Sequence, residues 1–151
     1  MVEFNKGYGT ALRFIANRMK TEAEVRKKLR SLYSDELAEE VIERLKAHNY
    51  IDDDNYISCY IKDRMKFNPM GRFRIKKELE EKGVQKNLIE NNHEYNCIEE
   101  IPVIEDLINR KLSRYNLNDS KDKRRIINYL IRRGFGFENI NSVLGHHNEF
   151  S

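Results

Sequence analysis

The sequence repeats itself with a period of about 50 residues, and a fixed period of that size decides the architecture before any single helix is assigned. Val25, Arg26, Lys27, Lys28 and Leu29 align with Ile75, Lys76, Lys77, Glu78 and Leu79, and both strings align with Ile126, Ile127, Asn128, Tyr129 and Leu130. Past the anchoring leucine, Lys82, Gly83 and Val84 face Arg133, Gly134 and Phe135. The first copy has Leu32, Tyr33 and Ser34 there and lacks the glycine.

Each copy reads as three helices. In the first, Leu12, Ile15, Ala16 and Met19 recur at helical spacing. Thr21 followed by Glu24 is a capping box, which satisfies two amide donors at a helix start. Val25, Leu29 and Leu32 then form the buried face of that second helix, and Ser34 or Asp35 caps a third through Leu37, Val41, Ile42 and Leu45. In the second copy Asp52 is the expected cap, with Ile51 and Tyr56 as a hydrophobic staple across it. The helix from Arg72 stops at Gly83, which can take the left-handed conformation, and a short helix follows within residues 85–92. The third copy begins near Pro102, resumes near Asp119, stops at Gly134 and ends with a helix from Phe137. The expected fold is all-α: tandem three-helix repeats over residues 9–50, 51–96 and 97–145. A unit of this size buries too little alone, so the copies should stack into an elongated, curved array. Residues 91–96, rich in Asn, are the expected hinge.

Composition narrows the function. Lys and Arg number 28 against 25 Asp and Glu, for a net charge of +3, so neither an acidic tail nor a strongly basic arm is present. No apolar run is long enough for a signal core or a membrane span, and Cys59 and Cys97 have no CxxC partner. A soluble, cytoplasmic chain with reduced thiols is expected. Asp52, Asp53, Asp54 and Asp63 imitate an EF-hand, but Ile57 stands where the sharp turn needs glycine. His146 and His147 lack zinc-finger spacing, and His48 and His93 are isolated. Phosphate loops, nucleophile elbows and HExxH pairs are absent from the sequence, so neither catalysis nor a cofactor is expected.

The cations are better placed than counted. Arg26 and Lys27 lie in the first copy, Arg72, Arg74, Lys76 and Lys77 in the second, and Arg124, Arg125, Arg132 and Arg133 in the third, always on the second helix. With Val25, Ile75 and Ile126 turned inward, Lys27, Arg74, Lys77, Arg124, Arg125 and Arg132 should face outward as a basic stripe able to meet phosphates or an acidic protein groove.

Several linked strings give the chain a family resemblance: residues 18–29, Tyr50 to Asp53, Gly71 to Leu79 with Lys82 to Val84, and Arg132 to Phe135. In this order and spacing, over residues 9–144, the chain resembles the bacterial RecX regulatory family. The resemblance implies tandem three-helix repeats that bind in the groove of the RecA recombinase filament on DNA, reach single-stranded DNA through that filament, and modulate, usually inhibit, recombinase and coprotease activity in DNA repair, recombination and the SOS response. A monomer is expected. The alternative is a helix-turn-helix DNA-binding protein with a recognition helix in the major groove. The second helices carry Lys and Arg without repeated Asn or Gln placed to read bases, which favours phosphate contact over base readout and allows weak direct binding to DNA.

Overall fold

The computed structural model describes the backbone of residues 1–149 and the side chains of residues 1–145. Ten α-helices and no strands occur among the described residues. They are α1 (Val2–Ala16), α2 (Glu22–Arg30), α3 (Asp35–Ala47), α4 (Asp53–Phe67), α5 (Arg72–Glu81), α6 (Lys86–Glu90), α7 (His93–Asn96), α8 (Glu100–Lys111), α9 (Ser120–Arg132) and α10 (Phe137–Glu149).

Three separate cores follow from the repeat. Val25, Leu29, Val41, Ile42 and Leu45 fill the first, Ile57, Ile75, Leu79 and Ile89 the second, and Ile104, Leu107, Ile126, Leu130 and Ile140 the third. The anchors Leu29, Leu79 and Leu130 are each fully buried. Because each core belongs to one repeat, the array is extended. Its accessible surface of 9776 Å² exceeds the roughly 8,100 Å² typical of a compact monomer of this mass.

Local sequence signals account for several helix ends. The Thr21 hydroxyl accepts from the Glu24 amide at 3.1 Å while the Glu24 carboxylate accepts from the Thr21 amide at 3.1 Å. Ser34, rather than Asp35, caps α3, and Asp52 accepts from the Asn55 amide at 3.0 Å to start α4. Gly83 and Gly134 sit at φ +86° and +88° after α5 and α9, a region that costs other residues about 1–2 kcal/mol. The first copy ends α2 without such a residue: its cap Ser31 stays right-handed.

Several features differ from expectation. Leu32, expected on the buried face of the second helix, and Met19, expected on the stripe of the first, lie past the ends of α2 and α1 and are exposed. Helix α1 begins at Val2, ahead of residue 9. Ile51 packs in the first core while Tyr56 packs in the second, so the pair expected as a staple falls on two sides of a repeat boundary. Residues 91–96 are not a bare hinge. Asn92 is 1% exposed, caps α7 through the Tyr95 amide, and donates to the Asp54 carboxylate (2.9 Å) and the Ser58 hydroxyl (3.1 Å) on α4. Burial of a fully bonded amide fastens the segment to its own repeat.

Candidate functional site

The repeats join end to end, by the same device twice. At the first joint the start of α2 meets the end of α5: the Thr21 hydroxyl donates to the Lys82 carbonyl at 2.7 Å, and the Glu22 amide donates to the Asp53 carboxylate at 2.9 Å. At the second joint the start of α5 meets the end of α9. The Gly71 amide donates to the Arg133 carbonyl at 2.8 Å, the Arg72 amide to the Glu100 carboxylate at 2.8 Å, and the Phe73 amide to the Gly134 carbonyl at 3.2 Å. Thr21 and Gly71 are equivalent in the repeat, as are Lys82 and Arg133, and Asp53 and Glu100 each open the first helix of the next repeat.

The electrostatics of helix ends explain the arrangement. Unbonded amides give a helix start partial positive charge and unbonded carbonyls give its end partial negative charge, so a start placed on an end satisfies both. Glu100, only 6% exposed, also accepts from the Gly136 amide (2.9 Å) and the Asn139 side chain (2.8 Å), tying the starts of α5 and α10 together. Helix α5 has no side-chain cap of its own; the third repeat supplies it. Burial pushes the Asp53 carboxyl above its ordinary value, against the opposing pull of the Glu22 amide.

The joints line up α9, α5 and α2 in one row, and this row carries the ten basic residues, which divide into two sets. Arg26 is held by Glu39, with Nε to Oε1 at 2.6 Å, and by Glu22; the Glu39 bond raises its pKa. Lys76 pairs with Glu90. The Arg72 guanidinium donates to the carbonyls of Asn96 (3.2 Å) and Ile98 (2.9 Å). Arg133 donates to Asn68 and to the Pro69 carbonyl across the second joint. Arg74 bonds Glu78 at 3.3 Å and the Arg132 carbonyl at 3.3 Å. These five are fasteners bonded within the protein, although the Nε groups of Arg72 and Arg133 are buried without a partner among the described residues.

Lys27, Lys77, Arg124 and Arg132 are exposed and make no side-chain hydrogen bond or ion pair among the described residues; Arg125 is exposed beside Asp122 at 3.5 Å. Lys27 and Lys77 occupy the same repeat position, but the third copy has Asn128 there, so the free cations share helices rather than a strict register. Glu100 escaped the sequence reading. An acid at the first position of both α4 and α8 was the available signal.

The joints leave open grooves. One at the first joint is lined by Glu22, Asp52, Asp53 and Asp54 beside Arg26 and Lys46, and one at the second by Phe73, Lys77, Ile131 and Arg132. Among the described residues no group of three or more His, Cys, Asp or Glu could hold a metal, and no helix is long and apolar enough to cross a membrane. The side chains of His146 and His147 lie outside the described residues.

Fold and site together define an all-α tandem-repeat protein whose second helices form one end-to-end basic row. Comparison with known proteins places it more closely. The family models described as the first, second and third three-helix domains of RecX match residues 8–45, 52–91 and 99–144, so the chain belongs to the RecX family. It is 33% identical over 141 residues to the regulatory protein RecX of Clostridium acetobutylicum, covering 89% of this chain and 65% of that one. It is also 33% identical over 145 residues to that of Geobacillus kaustophilus, covering 94% and 54%. The chain thus spans between about half and two thirds of the length of these relatives. The crystal structure of RecX from Lactobacillus salivarius superposes with a TM-score of 0.79 at 26% identity, covering 95% of both chains.

Proposed function

We propose that this chain is a non-catalytic cytoplasmic regulator that binds the RecA recombinase filament on DNA and lowers recombinase activity in repair, recombination and the SOS response. It acts as a monomer. The observation that carries the reading is the end-to-end row of α9, α5 and α2, which presents Lys27, Lys77, Arg124, Arg125 and Arg132 to solvent along an extended array. Such a row suits a long polyanionic partner better than a small substrate, because cations spread along a line gain little from a compact ligand. Membership of a family whose relatives are named regulatory proteins supports the same reading.

A filament pull-down, with ATPase and strand exchange followed as the protein is titrated, tests the proposal. The expected result is saturable association with falling strand exchange. Reversing Lys27, Lys77, Arg124, Arg125 and Arg132 to Glu should weaken association at least about tenfold and flatten its salt dependence, with helicity unchanged. No association, no change in either activity, or selective binding to one duplex sequence would refute it.

A further inference from the structure

The two joints share one backbone frame and carry different surfaces. Where the second joint has Phe73, Ile131 and Arg132, the equivalent positions around the first are Ala23, Glu80 and Glu81. Phe73 is 69% exposed and Ile131 is 47% exposed, although the backbone of both is hydrogen-bonded to Gly134 at the joint. The Phe73 amide is itself bonded across the joint at 3.2 Å, so its ring projects from a fixed base. Lys77, one turn further along α5, and Arg132, next to Ile131, flank an open groove of about 400 Å³. Arg74 and Glu78, which also line it, are bonded to each other, and Glu81 lines it as well.

We propose that this groove binds single-stranded nucleic acid, with Phe73 stacking on an unpaired base and Lys77 and Arg132 holding the adjacent phosphates. The inference rests on the reading of the partner as a DNA-bound filament, and it assigns the strand-contacting surface to the junction of repeats 2 and 3. Exposed aromatic rings beside cations are the usual platform for unpaired bases, since every base offers a π-face and stacking needs no sequence. The bases of a duplex are already stacked on each other and would have to leave the helix to reach Phe73. Two free cations stand against one free acid, so the base rather than the phosphates supplies most of the affinity. The groove of the first joint beside Glu22, Asp52, Asp53 and Asp54 is acidic and lined by no aromatic, so it is not a second copy of this site.

The full chain contains no tryptophan, so Phe73→Trp places a single reporter in the groove. The test titrates this variant, the wild type and Phe73→Ala with a thymidine oligonucleotide of about 15 nucleotides, an abasic strand of equal length, and a duplex. The expected results are quenching by the oligonucleotide but not the abasic strand, and an affinity about 5-fold or more weaker for Phe73→Ala with unchanged circular dichroism. Glu81→Gln should tighten binding. An oligonucleotide affinity within about twofold of wild type in Phe73→Ala, or equal quenching by both strands, overturns the proposal. So does a Phe73→Ala variant that loses binding to DNA-free recombinase while keeping oligonucleotide binding, because the groove then takes a protein. The oligonucleotide titration contains no recombinase, so its failure leaves filament regulation standing. Loss of filament association with oligonucleotide binding intact removes the regulatory reading instead.

Discussion

Glu100 holds the second joint, and replacing it by alanine should detach the third repeat's stability from the rest. The carboxylate accepts three hydrogen bonds, from the Arg72 amide, the Gly136 amide and Asn139. Truncation leaves the two backbone amides without partners at the starts of α5 and α10, while the Asn139 side chain can turn to water. An unsatisfied buried donor costs about 1–3 kcal/mol. Both amides belong to half-buried residues, so the lower part of that range applies and the loss is about 2–4 kcal/mol. Glu100→Gln keeps the shape and one acceptor but aims an N–H at a donor, so it should lose about 1–3 kcal/mol. In a tandem array stability is a sum of repeat terms and neighbour terms, so the whole effect should fall on the third repeat and its boundary. Native-state hydrogen exchange reads this directly: protection in α9 should drop about 30-fold or more in Glu100→Ala, with α2 and α3 unchanged. Equal loss of protection in all three repeats would refute the joint as a separable unit, and no loss anywhere would refute the hydrogen-bond reasoning.

Gly71→Ala attacks the same joint sterically. A Cβ there would lie 2.2 Å from the Gly134 carbonyl oxygen, a backbone atom that cannot turn aside. The expected destabilisation is at least about 1–3 kcal/mol, read as a lower urea midpoint; an unchanged midpoint would show that the joint can open without cost. Glu78 gives a pH effect. Its burial raises the carboxyl pKa, but the Tyr60 hydroxyl and the guanidiniums of Arg64 and Arg74 outweigh this and hold it below its ordinary value of 4.5. A lowered carboxylate contributes stability above its unfolded-state pKa and loses it as pH falls through the folded one. The urea midpoint of the wild type should therefore fall more steeply between about pH 6 and about pH 3 than that of Glu78→Gln; parallel curves would contradict the assignment.

What the sequence reveals and what it hides divide along local and non-local lines. Leu29, Leu79 and Leu130 are legible as core because helical spacing and the repeat both mark them, and all three are fully buried. The capping box at Thr21 and Glu24 and the left-handed stops at Gly83 and Gly134 are legible because each depends on a few neighbouring residues. Asn92 was misleading for the same reason in reverse. A polar run reads as a hinge until the partners on α4, more than 30 residues away, are known. Helical phase already sets Arg72 and Arg133 apart from the outward stripe; Arg74 is expected in that stripe, and only the knowledge that α9 ends where α5 begins shows its guanidinium bonded to the Arg132 carbonyl and to Glu78.

That separation changes how the net charge of +3 bears on binding. If the ten basic residues singled out on the row were all available to phosphates, the chain would be expected to hold bare DNA strongly, with a steep dependence on salt. Of those ten, Arg26, Arg72, Arg74, Lys76 and Arg133 instead spend hydrogen bonds inside the array, leaving Lys27, Lys77, Arg124 and Arg132 unbonded among the described residues and Arg125 beside Asp122, spread over three helices. Spread charge of this kind gains from a partner that is long and fixed in shape, since each contact then adds to the next without a new ordering cost. The close backbone approach at Gly71 and Gly83 sets the spacing between repeats. The fasteners and the glycines therefore matter to recognition without touching the partner: they fix the pitch at which Lys27, Lys77 and Arg132 are presented.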